Sequence, residues 1–273
     1  MDDLPGGGVR FEVHDPAPPR LRVEIAAPGR FWLRQDDRPV LLAHVERSHY
    51  GVHYMRLDGH TPVLPPLTAA EARREPSWPH HYVTWLAQGP GPLHPGWWTL
   101  QPWRPPGPLE LAAEHPSGYL DWFAGWNGIV PLRPLPEPGN GRVKAHRKLV
   151  RDGLLPPILL WWVSGLDGWV LLDGHARLAA ALAEDTIPPA LALALGPSPS
   201  QVDEMVEYAQ RGQALVEAQL DKESARRAKQ WHFADVYAGI PGERLRTRAW
   251  PLPEGGSEAW QRAAPPGWPP PDD

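Results

Sequence analysis

The stretch that decides the fold is VLLDGHARLAAALA, from Val170 to Ala183. Its first part has the β-branched and leucine content of a buried strand, and its second part has the alanine and leucine pattern of a helix. Asp173, Gly174 and His175 therefore fall where a predicted strand ends and a predicted helix begins. Free backbone N–H groups and the helix dipole make such a junction a favourable place for an anion.

The side chains of this junction suit a phosphate ligand. Gly174 allows close approach of a phosphate to the backbone, and Arg177 can reach back to the same anion with a bidentate guanidinium. His175 can donate to a phosphate or shuttle a proton, and Asp173 can hold a metal ion or orient a hydroxyl. A purely structural alternative is also open, in which Asp173 caps the helix and Arg177 pairs with an acid.

Composition limits the classes of protein to consider. The chain has 273 residues and a net charge of -5, so it gives no general reason to expect nucleic acid or an anionic membrane as partner. It has no cysteine, which excludes disulfides and thiol nucleophiles. No apolar run approaches the ~20 residues of a membrane span, and the acidic start MDDLPGGG is unlike a signal peptide. We expect a cytoplasmic protein.

Four regions follow from the pattern along the chain. Residues 1–127 are rich in short strand-like runs, tryptophan and proline, and residues 128–197 change to alternating strands and helices. Residues 198–249 indicate a helical extension, and the proline-rich tail 250–273 is predicted to be disordered. The expected class is α+β.

The central region predicts the element order β-α-β-β-α-β. A short strand at Ile129 is followed by the helix RVKAHRKLVRDG, which ends at Gly153. PPILLWWV and WVLLDG form a hairpin around SGLDG, HARLAAALAED is the second helix, and IPPALALAL is the last strand. This order places the Asp173 to His175 junction near the middle of one compact unit.

From about Ile129 to Leu195 the chain resembles the ParB/sulfiredoxin-like superfamily, which includes ParB N-terminal and free-serine-kinase-like domains. The segments that carry the resemblance are LVRDGLLPPILLWW, SGLDGWVLL and DGHARLAA. Gly174, Arg177 and Ala180 meet the Gly-x-x-Arg-x-x-Ala pattern of the ParB nucleotide-binding domains. The resemblance implies a ParB/sulfiredoxin-like domain followed by helices.

The branches of this superfamily imply different functions. Sulfiredoxin activity needs a catalytic cysteine, which this chain lacks, and the Glu-Asn motif of ParB clamps does not follow Leu195. In the free-serine kinases, a glutamate upstream acts as base, and PLRPLPE puts Glu137 at the matching place. The resemblance then implies Glu137, Asp173 and His175 as catalytic residues, with Gly174, His175 and Arg177 holding the phosphates of ATP, ADP or CTP with magnesium.

The basic helix bears on the same site. It carries Arg142, Lys144, Arg147, Lys148 and Arg151. We expect Lys144 and Arg147 to face the nucleotide, although a solvated helix face is an equal alternative. A DNA surface is not expected, because the rest of the chain is acidic.

A second Leu-Asp-Gly-His segment occurs at residues 57–60. Pro62 argues against a helix directly after it, so we interpret it as a turn with chance similarity. The leading function from the sequence is nucleotide binding, with phosphotransfer to a small hydroxyl metabolite or NTP hydrolysis. A non-catalytic interaction module and a DNA-associated ParB-like regulator are the alternatives.

Overall fold

Two mixed sheets and their covering helices make up the computed structural model, which describes all residues except 16–17, 47–49, 68, 75–76, 219–231, 253–254 and 270–273. In chain order the strands are β1 (Asp2–Leu4), β2 (Gly8–Val13), β3 (Leu21–Ala27), β4 (Arg30–Gln35), β5 (Arg38–Glu46), β6 (Gly51–Arg56), β7 (Gly96–Trp103), β8 (Ser117–Asp121), β9 (Ile129–Pro131), β10 (Ile158–Val163), β11 (Gly168–Asp173), β12 (Ala190–Leu195) and β13 (Ala249–Pro251). The helices are α1 (Ala69–Arg73), α2 (Trp78–Leu86), α3 (Gly141–Arg151), α4 (His175–Ala183) and α5 (Pro199–Ala218), followed by a helical segment at 232–239, a 3₁₀ turn (Ile240–Gly242) and a C-terminal helix (Gly256–Ala263). The expected α+β class is confirmed.

The seven-stranded sheet has the order β1-β2-β7-β12-β10-β11-β9. β10 and β11 form the predicted antiparallel hairpin, whose turn holds Asp167 at φ 46°. β12 and β9 flank this hairpin in parallel orientation. With α3 and α4, these strands have the element order predicted from the sequence.

Strands from the predicted N-terminal region complete the same sheet. β7 pairs antiparallel with β12, with Leu100 opposite Leu193, and β2 and β1 follow at the far edge. The sheet therefore draws strands from both sides of the boundary that the sequence indicates at residues 127 and 128.

The six-stranded sheet has the order β13-β3-β4-β5-β6-β8 and packs against the other sheet. Their shared core brings together Leu33 and Leu41 of one sheet with Leu159 and Val170 of the other, all fully buried. Burying a leucine or valine side chain contributes roughly 1.5–3 kcal/mol, so this shared layer holds the two sheets together.

Helices α3 and α4 cover the outer face of the seven-stranded sheet. Leu178 of α4 packs on Ile158 and Leu160, and Val143 of α3 packs against α4. Asn140 caps α3 by accepting the backbone N–H of Arg142, and the helix stops just before Gly153, as predicted. The packing of α4 on the sheet and on α3 therefore fixes the position of the Asp173 to His175 junction, where β11 leads into α4.

The predicted disorder of the tail 250–273 is wrong for the described part of it. β13 pairs with β3, and the C-terminal helix packs on the six-stranded sheet. Trp260 is buried there, and its Nε1–H donates to the Phe31 carbonyl over 3.0 Å. Burial of the Trp260 ring stabilises an ordered tail, although its proline and glycine content is typical of disordered segments.

The helical extension expected at 198–249 is present in α5 and at 232–239, and the intervening residues 219–231 lie outside the described residues. None of the described helices is both long enough and apolar enough to cross a membrane.

Candidate functional site

The structure has the strand-to-helix junction at the residues predicted from the sequence. β11 ends at Asp173, Gly174 is the N-cap residue, and α4 begins at His175. Gly174 has φ 96°, a conformation that L side chains rarely adopt, and this lets the chain turn directly from the strand into the helix. The first backbone N–H groups of α4 therefore have no partner within the helix and face an anion-favouring site.

Asp173 and Arg177 form a buried ion pair across this turn. Arg177 Nη2 donates to Asp173 Oδ1 over 2.8 Å, and Arg177 is only 3% exposed. Burial raises the pKa of the Asp173 carboxyl, while Arg177, Arg133 and a hydrogen bond from the Leu64 backbone lower it. The structural alternative for Arg177 is thus present. Its Nε is buried and has no hydrogen-bond partner in the described structure.

His175 is buried at the start of α4. Neither of its ring nitrogens has a hydrogen-bond partner among the described residues, although the side chain is only 1% exposed. Burial, followed by the nearby Arg133, lowers the pKa of His175 well below its ordinary value. The ring is therefore neutral at physiological pH.

A cavity of about 660 Å³ opens directly in front of this junction. It lies between the loop 62–67, helix α3 and the first turn of α4. Its charged and imidazole side chains are Arg73, Arg133, Arg142, His146, Lys148, Asp173, His175 and Arg177. Its apolar side chains are Pro62, Leu64, Pro65, Pro66, Leu67, Ala72, Ala145, Leu149, Pro156 and Ala176.

Helix α3 contributes other bases to the cavity than those expected. Arg142 and Lys148 line it, whereas Lys144 is exposed outside the lining. Arg147 donates from Nε to Glu184 over 2.6 Å, and Arg151 binds the same carboxylate. The structure does not bring Lys144 and Arg147 to this cavity, where the sequence interpretation expected them to hold the nucleotide, because the packing of α3 on α4 turns Arg147 toward Glu184.

Glu137 does not reach the site. It is exposed in the loop before α3 and is absent from the cavity lining, while its carbonyl accepts the Asn140 N–H. The prediction of Glu137 as a base beside Asp173 and His175 is not supported by this geometry. Glu137 lies between Pro136 and Pro138 in this loop, and its side chain is exposed to solvent.

The six-stranded side of the molecule supplies residues that the sequence interpretation missed. His60, in the second Leu-Asp-Gly-His segment, is buried and lies 6.0 Å from His175 between ring centroids. No helix follows His60, as predicted, and the loop 62–67 after it forms a wall of the cavity. The repeat of Leu-Asp-Gly-His at residues 57–60 could have indicated this contact between His60 and His175. Because no helix was expected after it, the repeat was interpreted as a chance similarity.

Several buried nitrogen atoms around the junction have no hydrogen-bond partner in the described part of the chain. They belong to Arg56, His60, His146, His175 and Arg177. A buried polar atom without a partner costs about 1–3 kcal/mol, and such atoms tend to mark functional sites. Burial, with smaller effects from Arg177 and Arg142, lowers the pKa of His146 to about 4.

The cavity lining carries a single described carboxylate. That carboxylate, Asp173, is already paired with Arg177, and no group of three His, Asp or Glu in the described residues is placed to hold a metal ion. The lining therefore does not fit a magnesium ion held by the protein alone. It fits an anion, because cationic side chains outnumber the carboxylate.

Comparison of the chain with protein-family models, with curated proteins and with solved structures gives no match.

Proposed function

We propose that the chain binds a phosphate-bearing small molecule in the cavity in front of α4, with the phosphate at the start of the helix. The observation that carries this proposal is that His175 and Arg177 are buried at the cavity with nitrogen atoms that have no hydrogen-bond partner in the described structure. Both line the cavity from the first turn of α4, both are almost fully buried, and both keep ring or guanidinium nitrogens without a partner in the described structure. An oxyanion at this position would accept from the free N–H groups of the helix start, next to these two side chains.

Charge and size support the same proposal. The protein as a whole has a net charge of -5, so the cluster of Arg133, Arg142, Lys148 and Arg177 around one cavity is a local feature and not a consequence of composition. A volume of about 660 Å³ lies within the range of small-molecule sites.

Nucleotides are the first ligands to test, because the resemblance stated above implies ATP, ADP or CTP. Magnesium would arrive with such a ligand and be held by its phosphates, since Asp173 is occupied by Arg177. A nucleotide bound without turnover would support the interaction-module alternative.

Phosphoryl transfer to a small hydroxyl compound is a second candidate, and the neutral His175 favours it. In this step the hydroxyl oxygen bonds to the terminal phosphorus of the nucleotide, the bond to the leaving phosphate oxygen breaks, and the hydroxyl proton passes to a ring nitrogen of His175. Glu137 has no part in it, because it lies outside the cavity.

Two lysines of α3 provide a matched test of binding. Lys148 lines the cavity and Lys144, one turn earlier, does not, although both are exposed. We expect ATP, ADP or CTP with magnesium, or sodium pyrophosphate, to raise the melting temperature of the wild type, since a ligand at 100 times its Kd adds about 2.7 kcal/mol. Lys148→Ala should weaken that ligand about three- to tenfold, and Lys144→Ala should leave its affinity unchanged.

The proposal fails if no phosphate compound shifts the melting temperature, or if both lysine variants weaken binding equally. Equal weakening would indicate general attraction by surface charge. Tight, salt-sensitive binding of duplex DNA that competes with pyrophosphate would instead favour the DNA-associated regulator.

A further inference from the structure

Most cations and imidazoles of the cavity lining come from other elements than its prolines and most of its leucines. The bases and imidazoles come from α3, from the first turn of α4, from Arg133 after β9 and from Arg73 at the end of α1. The loop 62–67 forms another part of the lining, with Ala72 and Arg73 of α1. A ligand that fills this cavity therefore meets cations at one end and apolar side chains along its body.

The loop wall has few groups with which to hold a polar ligand. Pro62, Pro65 and Pro66 have no backbone N–H to donate. The N–H of Leu64 is already used by the Asp173 carboxylate. The side chains that remain on this wall, Leu64 and Leu67, are aliphatic.

A nucleobase would find little to recognise it along this wall. Bases are held by stacking on aromatic rings or by hydrogen bonds to their edges. The only aromatic rings among the described lining residues are the imidazoles of His146 and His175, which lie with the cations of α3 and α4. Asn, Gln, Ser and Tyr side chains are missing from the described lining altogether.

We propose that the natural ligand is a phosphate ester of an aliphatic alcohol, with its phosphate at the start of α4 and its hydrocarbon part against the loop 62–67. This inference rests on the proposed function and names the substrate class of the same site. Burial of hydrocarbon on Leu64, Leu67 and Pro156 supplies the affinity that base recognition supplies in a nucleotide site.

A chain-length series measures the contribution of the wall directly. Calorimetric titration of the full chain would compare inorganic phosphate with ethyl, butyl and hexyl phosphate, and with AMP as the nucleoside monophosphate. Each methylene buried on the wall should raise affinity about two- to fourfold, so hexyl phosphate should bind more tightly than AMP.

Two leucine variants separate the wall from the phosphate end. Leu67→Gln places a polar side chain in the wall, and Leu154→Gln is the control, because Leu154 is exposed outside the cavity lining. Leu67→Gln should flatten the chain-length series and leave the affinity for inorganic phosphate unchanged. Leu154→Gln should behave as wild type.

The outcomes distinguish this inference from the proposed function. If AMP binds more tightly than hexyl phosphate, or if Leu67→Gln does not flatten the series, the apolar ester is wrong while phosphate binding stands. If neither inorganic phosphate nor any ester binds to the folded wild type, the proposed function itself is wrong.

Discussion

His60 donates its Nε2–H to the carbonyl oxygen of Leu172 over 3.0 Å, so the two Leu-Asp-Gly-His segments of the chain are in direct contact. A carbonyl only accepts, so the proton of the neutral imidazole is on Nε2 and Nδ1 is left as an acceptor. Burial, with a smaller effect from Arg133, lowers the pKa of His60 to about 4. The contact therefore places a buried histidine next to His175 and to the strand that ends at the candidate site.

This buried histidine makes stability depend on pH. A histidine with pKa near 6.5 when unfolded and about 4 when folded stabilises the protein fully above pH 6.5, and that contribution is lost as pH falls toward 4. We expect His60 alone to cost roughly 2 kcal/mol of unfolding free energy between pH 7.5 and 5. The lowered pKa of His175 acts in the same direction. Urea denaturation of the unliganded protein at both pH values measures this loss.

Two histidine variants show whether His60 is responsible. His60→Gln should reduce the loss between pH 7.5 and 5, whatever its effect on stability at pH 7.5. His14→Gln, at an exposed position, should leave the loss as in wild type. A loss in His60→Gln equal to that of wild type would show that His60 does not titrate as its burial requires.

The buried pair of Asp173 and Arg177 predicts a large effect of a single substitution. Arg177→Ala leaves the Asp173 carboxylate buried and unpaired, and breaking such a pair costs about 3–5 kcal/mol. The unfolding free energy from urea denaturation at pH 7.5 should fall by this amount. For this reason Arg177→Ala alone is a poor probe of ligand binding.

The pair between Arg151 and Glu184 provides the comparison. It has the same 2.8 Å separation of nitrogen and oxygen, but the Arg151 side chain is 60% exposed. Exposed pairs contribute about 0–1 kcal/mol, so Arg151→Ala should change stability little. Similar losses in Arg177→Ala and Arg151→Ala would contradict the burial of the Asp173 pair.

Local sequence patterns were enough to place the junction of β11 and α4. The residue pattern there changes from that of a strand to that of a helix within a few residues, and Gly174 marks the turn between them. The same patterns could not choose which bases of α3 face the cavity. Basic residues occur around most of that helix, so its rotation depends on Val143 packing against α4 and on Arg147 reaching Glu184.

Contacts between segments far apart in the chain could not be predicted from local sequence patterns. His60 contacts Leu172, and the loop 62–67 lines the same cavity as α3, only because the two sheets pack on a shared core. The ordered tail was missed for a related reason. Its proline and glycine content describes the chain by itself, whereas Trp260 becomes ordered by packing on Trp32 and Leu42 of the six-stranded sheet.

Gly174 provides the sharpest test of the junction itself. A Cβ added there would lie 2.9 Å from Arg177 Nε and 2.9 Å from Ile158 Cγ2, and the backbone φ is 96°. Gly153, after α3, has φ 69° but no heavy atom within 4 Å of an added Cβ, so Gly153→Ala carries the backbone cost of about 1–2 kcal/mol without a clash. Gly174→Ala should cost about 1–3 kcal/mol more than Gly153→Ala in urea denaturation, since it also crowds a packed core. Equal losses for the two variants would mean that the turn at Gly174 has more room than the contacts with Arg177 and Ile158 allow.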